Sequence, residues 1–139
     1  MEFKYAWLKD PTIFAINRLP AHSDHTWYIN EKDFAKGIQL NALKLNGKWK
    51  FHYAKNWQGT IDGFEALTFD CQSWDDIEVP GHIQMQGYGT PVYVNTMYPW
   101  TAREQLDIGE IPEHENPIGS YVKYFDLPND FVGRVLHLT

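Results

Sequence analysis

The sequence predicts an all-β, antiparallel fold of the sandwich or jelly-roll kind, incomplete at its carboxyl end and preceded by an irregular extended segment. Three observations carry the prediction. Apolar residues recur at spacing two in several short runs, the mark of half-buried strands. Turn signals interrupt the chain roughly every 8 to 15 residues, as a sandwich or barrel requires. Aromatic residues make up 16% of the 139 positions, with 6 Trp, 8 Tyr and 8 Phe, and such side chains favour strands and bury large areas.

The elements follow in chain order. Residues 1–40 are rich in turns, and Asp10-Pro11, Leu19-Pro20 and Ile29-Asn30 break any periodicity. They read as an extended segment laid over another body, and residues 41–139 as the sandwich proper. There, Leu43 and Leu45, then Trp49, Phe51 and Tyr53, alternate around Asn46-Gly47. An Asn-Gly pair between alternating runs is a strong hairpin signal. Residues 60–67 form at most one weak helical turn. Ile77-Glu78-Val79 is a short strand closed by Pro80-Gly81, and 83–88 is a single helical turn. Residues 91–94 form an edge strand, because Pro91 has no N–H to give a ladder. In 120–127, Tyr121, Lys123, Phe125 and Leu127 alternate with Val122 and Tyr124. Pro128-Asn129-Asp130 is a turn and 134–139 begins a last strand. That gives about five or six short strands, the last running out without a partner, so the expectation is a sandwich cut short.

Charge and composition exclude several roles. Lys and Arg total 12 against 18 Asp and Glu, a formal charge of −6 with no long run of either sign. A nucleic-acid partner needs a basic face, and a membrane-surface partner a basic amphipathic helix; neither is visible. No run approaches the roughly 20 apolar residues of a membrane span, and the first ten residues lack the apolar stretch of a secretory leader. The single Cys71 cannot pair within the chain, which suits a reducing compartment. A cytoplasmic protein is the expectation.

Five segments, in order, then carry a resemblance. They are Asn17-Arg18-Leu19-Pro20-Ala21-His22; Leu45-Asn46-Gly47-Lys48-Trp49-Lys50-Phe51; Val79-Pro80-Gly81-His82-Ile83-Gln84-Met85-Gln86-Gly87-Tyr88; Pro91-Val92-Tyr93-Val94-Asn95-Thr96-Met97-Tyr98-Pro99; and Glu115-Asn116-Pro117-Ile118-Gly119-Ser120-Tyr121. Together they resemble the amino-terminal domain of the large multidomain β-galactosidases of glycoside hydrolase family 2. The second segment and the Val-Pro turn are shared with β-glucuronidases and β-mannosidases. The first, fourth and fifth resemble β-galactosidases in particular.

The resemblance implies a galactose-binding-like jelly roll whose parent enzyme hydrolyses terminal β-D-galactosides such as lactose. It implies a retaining mechanism with two glutamates, both in a later barrel and absent here, so these residues alone are expected to be inactive. It implies that Asn95 reaches into the galactose site, where an amide can both donate to and accept from a sugar hydroxyl. Without the resemblance, an Asn at such a place is a turn former. The parent family uses Mg2+ and Na+, and no cofactor is expected to be held by this chain. Residues 1–40 resemble the family's assembly segment, with Arg18, His22 and Trp27 as interface anchors or as purely intrachain contacts. The partners implied are a β-galactoside, the remainder of the enzyme chain or a complementary subunit, and further copies in a homo-oligomer.

Other constellations read more plainly. His22-Ser23-Asp24-His25 lacks zinc-ligand spacing, and loop histidines bonded to backbone account for it. Trp7 falls where the family places an acid, which leaves Asp10 a weak ligand candidate. Cys71, Ser23, Ser73 and Ser120 lack a nucleophile context. Asp75, Asp76, Glu110, Glu113 and Glu115 read as solvated charge, and Trp49 as a core residue rather than a sugar platform. Two alternatives of other classes stand beside the enzyme reading. One is a stand-alone non-catalytic carbohydrate-binding module, the other an interaction domain without sugar contact.

Overall fold

Strand β1 (Gly47–Ala54) is the centre of a three-stranded antiparallel sheet ordered β2–β1–β3, with β2 (Asp75–Val79) and β3 (Ile118–Val122) on its two sides. The computed structural model describes residues 4–23, 25–39, 41–98, 100–101 and 103–138. The predicted fold class holds: the described strands are all antiparallel and helices are few and short.

Alternation along β1 sends two sets of side chains to opposite faces. Trp49, Phe51 and Tyr53 share one face. There Phe51, 1% exposed, has the rings of Tyr88 and Tyr121 each 4.7 Å from its own, centre to centre. Ile77, 2% exposed, stands opposite Trp49 in the ladder. Full burial of one such side chain contributes about 1.5–3 kcal/mol. Lys50, His52 and Ala54 share the other face, with Trp74 as its hub. The Trp74 ring lies 5.3 Å from His52, 5.8 Å from Phe64 and 5.4 Å from Phe69. Buried Ala54 and Ser120 complete that side, Ser120 opposite His52, and Cys71 is buried as well. Lys50 ties β1 to β2 and to the Trp74 segment, its Nζ donating to the Trp74 carbonyl at 3.1 Å and pairing with Asp76 at 3.0 Å.

Several expected strands are absent among the described residues. The Asn46-Gly47 hairpin does not form. Gly47, at φ 103°, opens β1, whereas Asn46 stays at negative φ, and a two-residue hairpin turn of that type needs both positive. Residues 91–94 carry no ladder, β3 stops at Val122, and 134–138 are not a strand. Alternation reports which side chains could share a face; a strand also needs a neighbour for its N–H and C=O groups, and none of the described segments supplies it. The turn over 83–88 is present as a 3-10 turn, Ile83–Gln86, ended by Gly87 at φ 95°.

Two units make up the chain. Met1–Arg18 with Gly47–Lys123 contains the sheet; in it a 3-10 turn, Tyr5–Lys9, sets the Tyr5 ring 5.8 Å from Trp57, and Lys9 pairs with Glu113 at 3.5 Å. Leu19–Asn46 with Tyr124–Thr139 is the second unit. It holds the helix α1 (Glu31–Lys36), where sequence reading expected irregular chain. Asn30 does more than break periodicity: its Oδ1 accepts from the Asp33 amide at 3.0 Å as an N-cap, and Gly37 at φ 66° ends the helix. The Phe34 ring meets Tyr28 edge-on at 5.2 Å, and Arg134 donates to Asn41 at 3.0 Å.

Candidate functional site

After the 3-10 turn the described residues of 88–106 leave the sheet, and they include Asn95 and several exposed apolar and aromatic side chains. Their start is fixed by Tyr88. Its ring packs on Phe51 and Tyr53, and its hydroxyl donates to Asp75 Oδ2 at 2.8 Å. Burial pushes the Tyr88 phenol up, and the Asp75 bond adds to it. Gly89 follows at φ 67°, where a β-carbon would stand 3.0 Å from the Tyr53 hydroxyl oxygen. Only glycine suits both the conformation and the space.

Gln86 secures the same corner from the other side. Its Oε1 accepts from the Glu78 amide at 2.8 Å, and its Nε2 donates to the Glu78 carbonyl at 3.0 Å. The side-chain amide thus occupies the outer backbone groups of β2 as a neighbouring strand would. Gly81 leaves room for it, since a β-carbon there would lie 2.7 Å from Gln86 Nε2.

Asn95 sits in the bend of residues 95–97, exposed, and no hydrogen bond ties its carboxamide to another described residue. Tyr93, Met97 and Tyr98 around it are exposed as well. Beyond the bend, Tyr98 and Trp100 stack, their planes 5° apart and their centres 5.4 Å apart. They line a shallow groove of about 520 Å³ together with Arg103, Glu104 and Gln105. Pro99, named in the fourth motif, lies outside the described residues.

The far end of the loop is fixed by charge. Glu104 accepts backbone N–H bonds from Glu113 at 3.0 Å, His114 at 2.9 Å and Glu115 at 2.8 Å. Consecutive amides converging on one carboxylate form an anion nest, and charge-assisted bonds are stronger than neutral ones. Burial pushes the Glu104 carboxyl up, but the three amide donors and the nearby His114 outweigh it and hold it below the usual carboxylate range. Arg103 pairs with Glu115 alongside. Asn56, just past β1, donates to the His114 carbonyl at 3.2 Å and so connects the nest to the sheet.

The other predicted residues are each placed by local contacts or by burial. Each of the five acids has a partner that is not an acid: Asp75 takes Tyr88, Asp76 takes Lys50, Glu110 takes the Asp107 amide, Glu113 takes Lys9 and Glu115 takes Arg103. Cys71 is buried at 4% and Ser120 at 5%. Trp49 faces the core side of β1, with Lys123 Nζ 5.8 Å from its ring centre. His22 and His25 both turn Nδ1 to the Ser23 carbonyl, each at 3.1 Å, and His25 meets Trp27 edge-on at 4.8 Å. Asp24, between them, lies outside the described residues. Asp10 Oδ1 is taken by the Thr12 amide and hydroxyl, at 2.9 and 2.6 Å, which holds its carboxyl below the usual range. Among the described residues no three His, Cys, Asp or Glu side chains are grouped to hold a metal ion.

Sequence reading did not find Glu104 or Gln86. Glu104 meets its donors 9 to 11 residues away across irregular chain, a separation with no periodic signature. Gln86 lay within a quoted motif, yet nothing in the motif reveals that its amide returns to Glu78.

Residues 42–138 match the family described as glycosyl hydrolases family 2, sugar binding domain. The chain is 53% identical over 135 residues to a β-galactosidase of Halalkalibacterium halodurans, covering 96% of this chain and 13% of that protein. It is 40% identical over 133 residues to a β-galactosidase of Lactobacillus delbrueckii subsp. bulgaricus, covering 96% of this chain and 13% of that protein. It is 38% identical over 146 residues to a β-galactosidase large subunit of Leuconostoc lactis, covering 96% of this chain and 23% of that protein. The chain thus spans between an eighth and a quarter of these relatives' lengths. No helix among the described residues is long and apolar enough to cross a membrane.

Proposed function

Because the chain belongs to glycosyl hydrolases family 2, we propose that it is the amino-terminal sugar-binding portion of a β-galactosidase that hydrolyses terminal β-D-galactosides such as lactose. In this reading the reaction retains configuration, through a nucleophile and an acid/base glutamate provided by sequence beyond these residues. The 139 residues by themselves do not cleave galactosides. Their part is to complete one wall of the galactose site through Asn95 and to support assembly.

The observation that carries the reading is the state of Asn95. Its amide is exposed with no described hydrogen-bond partner, on a loop tethered at both ends. An Asn used as a turn former bonds its own backbone; this one keeps donor and acceptor available for a hydroxyl. Such contacts discriminate sharply against a missing or inverted hydroxyl.

Replacing Asn95→Ala in the complete enzyme is the test. Loss of one substrate hydrogen bond lowers kcat/KM on the order of 10- to 100-fold, with the larger share in KM. Unchanged turnover favours an interaction domain without sugar contact. Galactose binding by the 139 residues alone, together with a cooperative melt, favours a stand-alone carbohydrate-binding module instead.

The partners in this reading are the remainder of the β-galactosidase, in the same chain or as a complementary subunit, and further copies in a homo-oligomer. Exposed Arg18, His22 and Trp27 in the first 40 residues are the proposed anchors for assembly. Mg2+ and Na+ of the parent enzyme are bound by residues other than those described. The compartment proposed is the cytoplasm. Adding this chain to an amino-terminally deleted β-galactosidase restores activity if residues 1–40 serve assembly; no recovery counts against that role.

A further inference from the structure

Between Tyr88 and Glu104 the chain forms no helix or strand among the described residues, yet both of its ends are held against the same sheet. At the near end Tyr88 packs on Phe51 and bonds Asp75. At the far end the Glu104 carboxylate gathers the amides of Glu113, His114 and Glu115 just before β3, and Asn56 joins that nest to the end of β1. Between Asn95 and this anchor a short relay of backbone bonds stiffens the path. The Thr101 amide donates to the Tyr98 carbonyl at 3.1 Å, and the amides of Arg103 and Glu104 donate to the Trp100 carbonyl at 2.8 and 3.0 Å. The Tyr98–Trp100 stack braces the same stretch. An irregular loop holds a side chain in one place only as well as its anchors hold the loop. Among the described residues the Glu104 nest, with the adjoining Arg103–Glu115 pair, is the anchor on the carboxyl side of Asn95.

We propose that Glu104 is a positioning residue for galactoside binding, fixing the loop that presents Asn95 to the sugar. The inference rests on the reading of Asn95 as a substrate contact. Glu104 touches no substrate; it acts through the nest and the backbone bonds that join Tyr98 to Thr101 and Trp100 to Arg103 and Glu104.

A double-mutant cycle in the complete enzyme tests it, with Glu104→Gln, Asn95→Ala and the pair, assayed on p-nitrophenyl β-D-galactoside. Glu104→Gln keeps the shape and one acceptor but removes the charge. In the Asn95 enzyme it lowers kcat/KM about 5- to 20-fold, and in the Asn95→Ala background less than about twofold, the non-additivity of a residue that works through its partner. A merely structural role would give the same loss in both backgrounds, and that result overturns the proposal. The two readings separate cleanly. An Asn95→Ala enzyme of full activity overturns the substrate contact itself. An impaired Asn95→Ala enzyme with an independent, additive Glu104→Gln loss overturns the positioning role alone. Should Glu104→Gln fail to fold, Arg103→Gln, which releases the neighbouring tether to Glu115, takes its place in the cycle with the same expected non-additivity.

Discussion

Gly119 lies directly against Phe51: a β-carbon at Gly119 would stand 2.7 Å from Phe51 Cε2 and 3.1 Å from Tyr121 Cε2. Phe51 is the most buried side chain of the central strand, and its ring is already enclosed by Tyr88 and Tyr121, so it has nowhere to retreat. Glycine in β3 is therefore required by packing rather than by conformation.

Gly119→Ala consequently destabilises the fold by about 1–3 kcal/mol, the usual cost of forcing an extra methyl into a packed core. A denaturant titration followed by tryptophan fluorescence measures it. An unchanged midpoint would show that the Phe51 ring can shift.

Gln86→Ala removes both bonds to Glu78 and exposes the outer backbone groups of β2. The expected loss is about 1 kcal/mol, since each net bond contributes roughly 0.5–1.5 kcal/mol and this corner is partly wet. The freed strand edge also invites pairing between molecules. Light scattering of the variant at rising concentration should detect more association than the parent sequence shows.

Acid loosens the Glu104 nest. A carboxyl held below its ordinary range stabilises the fold fully above the unfolded value of about 4.3. That contribution is lost as pH falls through the lower, folded value. Amide resonances of residues 113–115 should shift together on acidification, and Glu104→Gln should abolish the transition.

Alkali acts at Tyr88 and Tyr5 in the opposite sense. Burial raises both phenols, so the protonated forms favour the fold. Their contribution is intact below the ordinary tyrosine value of about 10 and disappears as pH climbs through the higher folded values. As pH rises from about 10 through the higher folded value, stability should fall less steeply for Tyr88→Phe than for the parent sequence.

The parts of the fold legible in the sequence are those set by side-chain alternation within a paired strand. Trp49, Phe51 and Tyr53 declared β1, and Tyr121 declared β3. Where alternation had no neighbouring ladder, as in 91–94 and 134–138, the expectation of a strand failed. A strand is a property of two chains side by side, and one of them was missing from the pattern. The hairpin reading of Asn46-Gly47 failed for a local reason, because only Gly47 took positive φ. At the candidate site, Asn95 is proposed from the resemblance, whereas Glu104 and Gln86 depend on contacts between distant irregular segments that no periodicity encodes.

The two-faced packing of β1 makes its pairing self-correcting. Sliding the strand by one position would turn Lys48, Lys50 and His52 toward Tyr88 and Tyr121, and carry Trp49, Phe51 and Tyr53 over to the Trp74 side. The ammonium groups of Lys48 and Lys50 would then have to enter an aromatic layer, and Lys50 would leave behind the Asp76 carboxylate and the Trp74 carbonyl. Misaligned assemblies of this sheet are thus discarded on both surfaces at once, and one alignment survives.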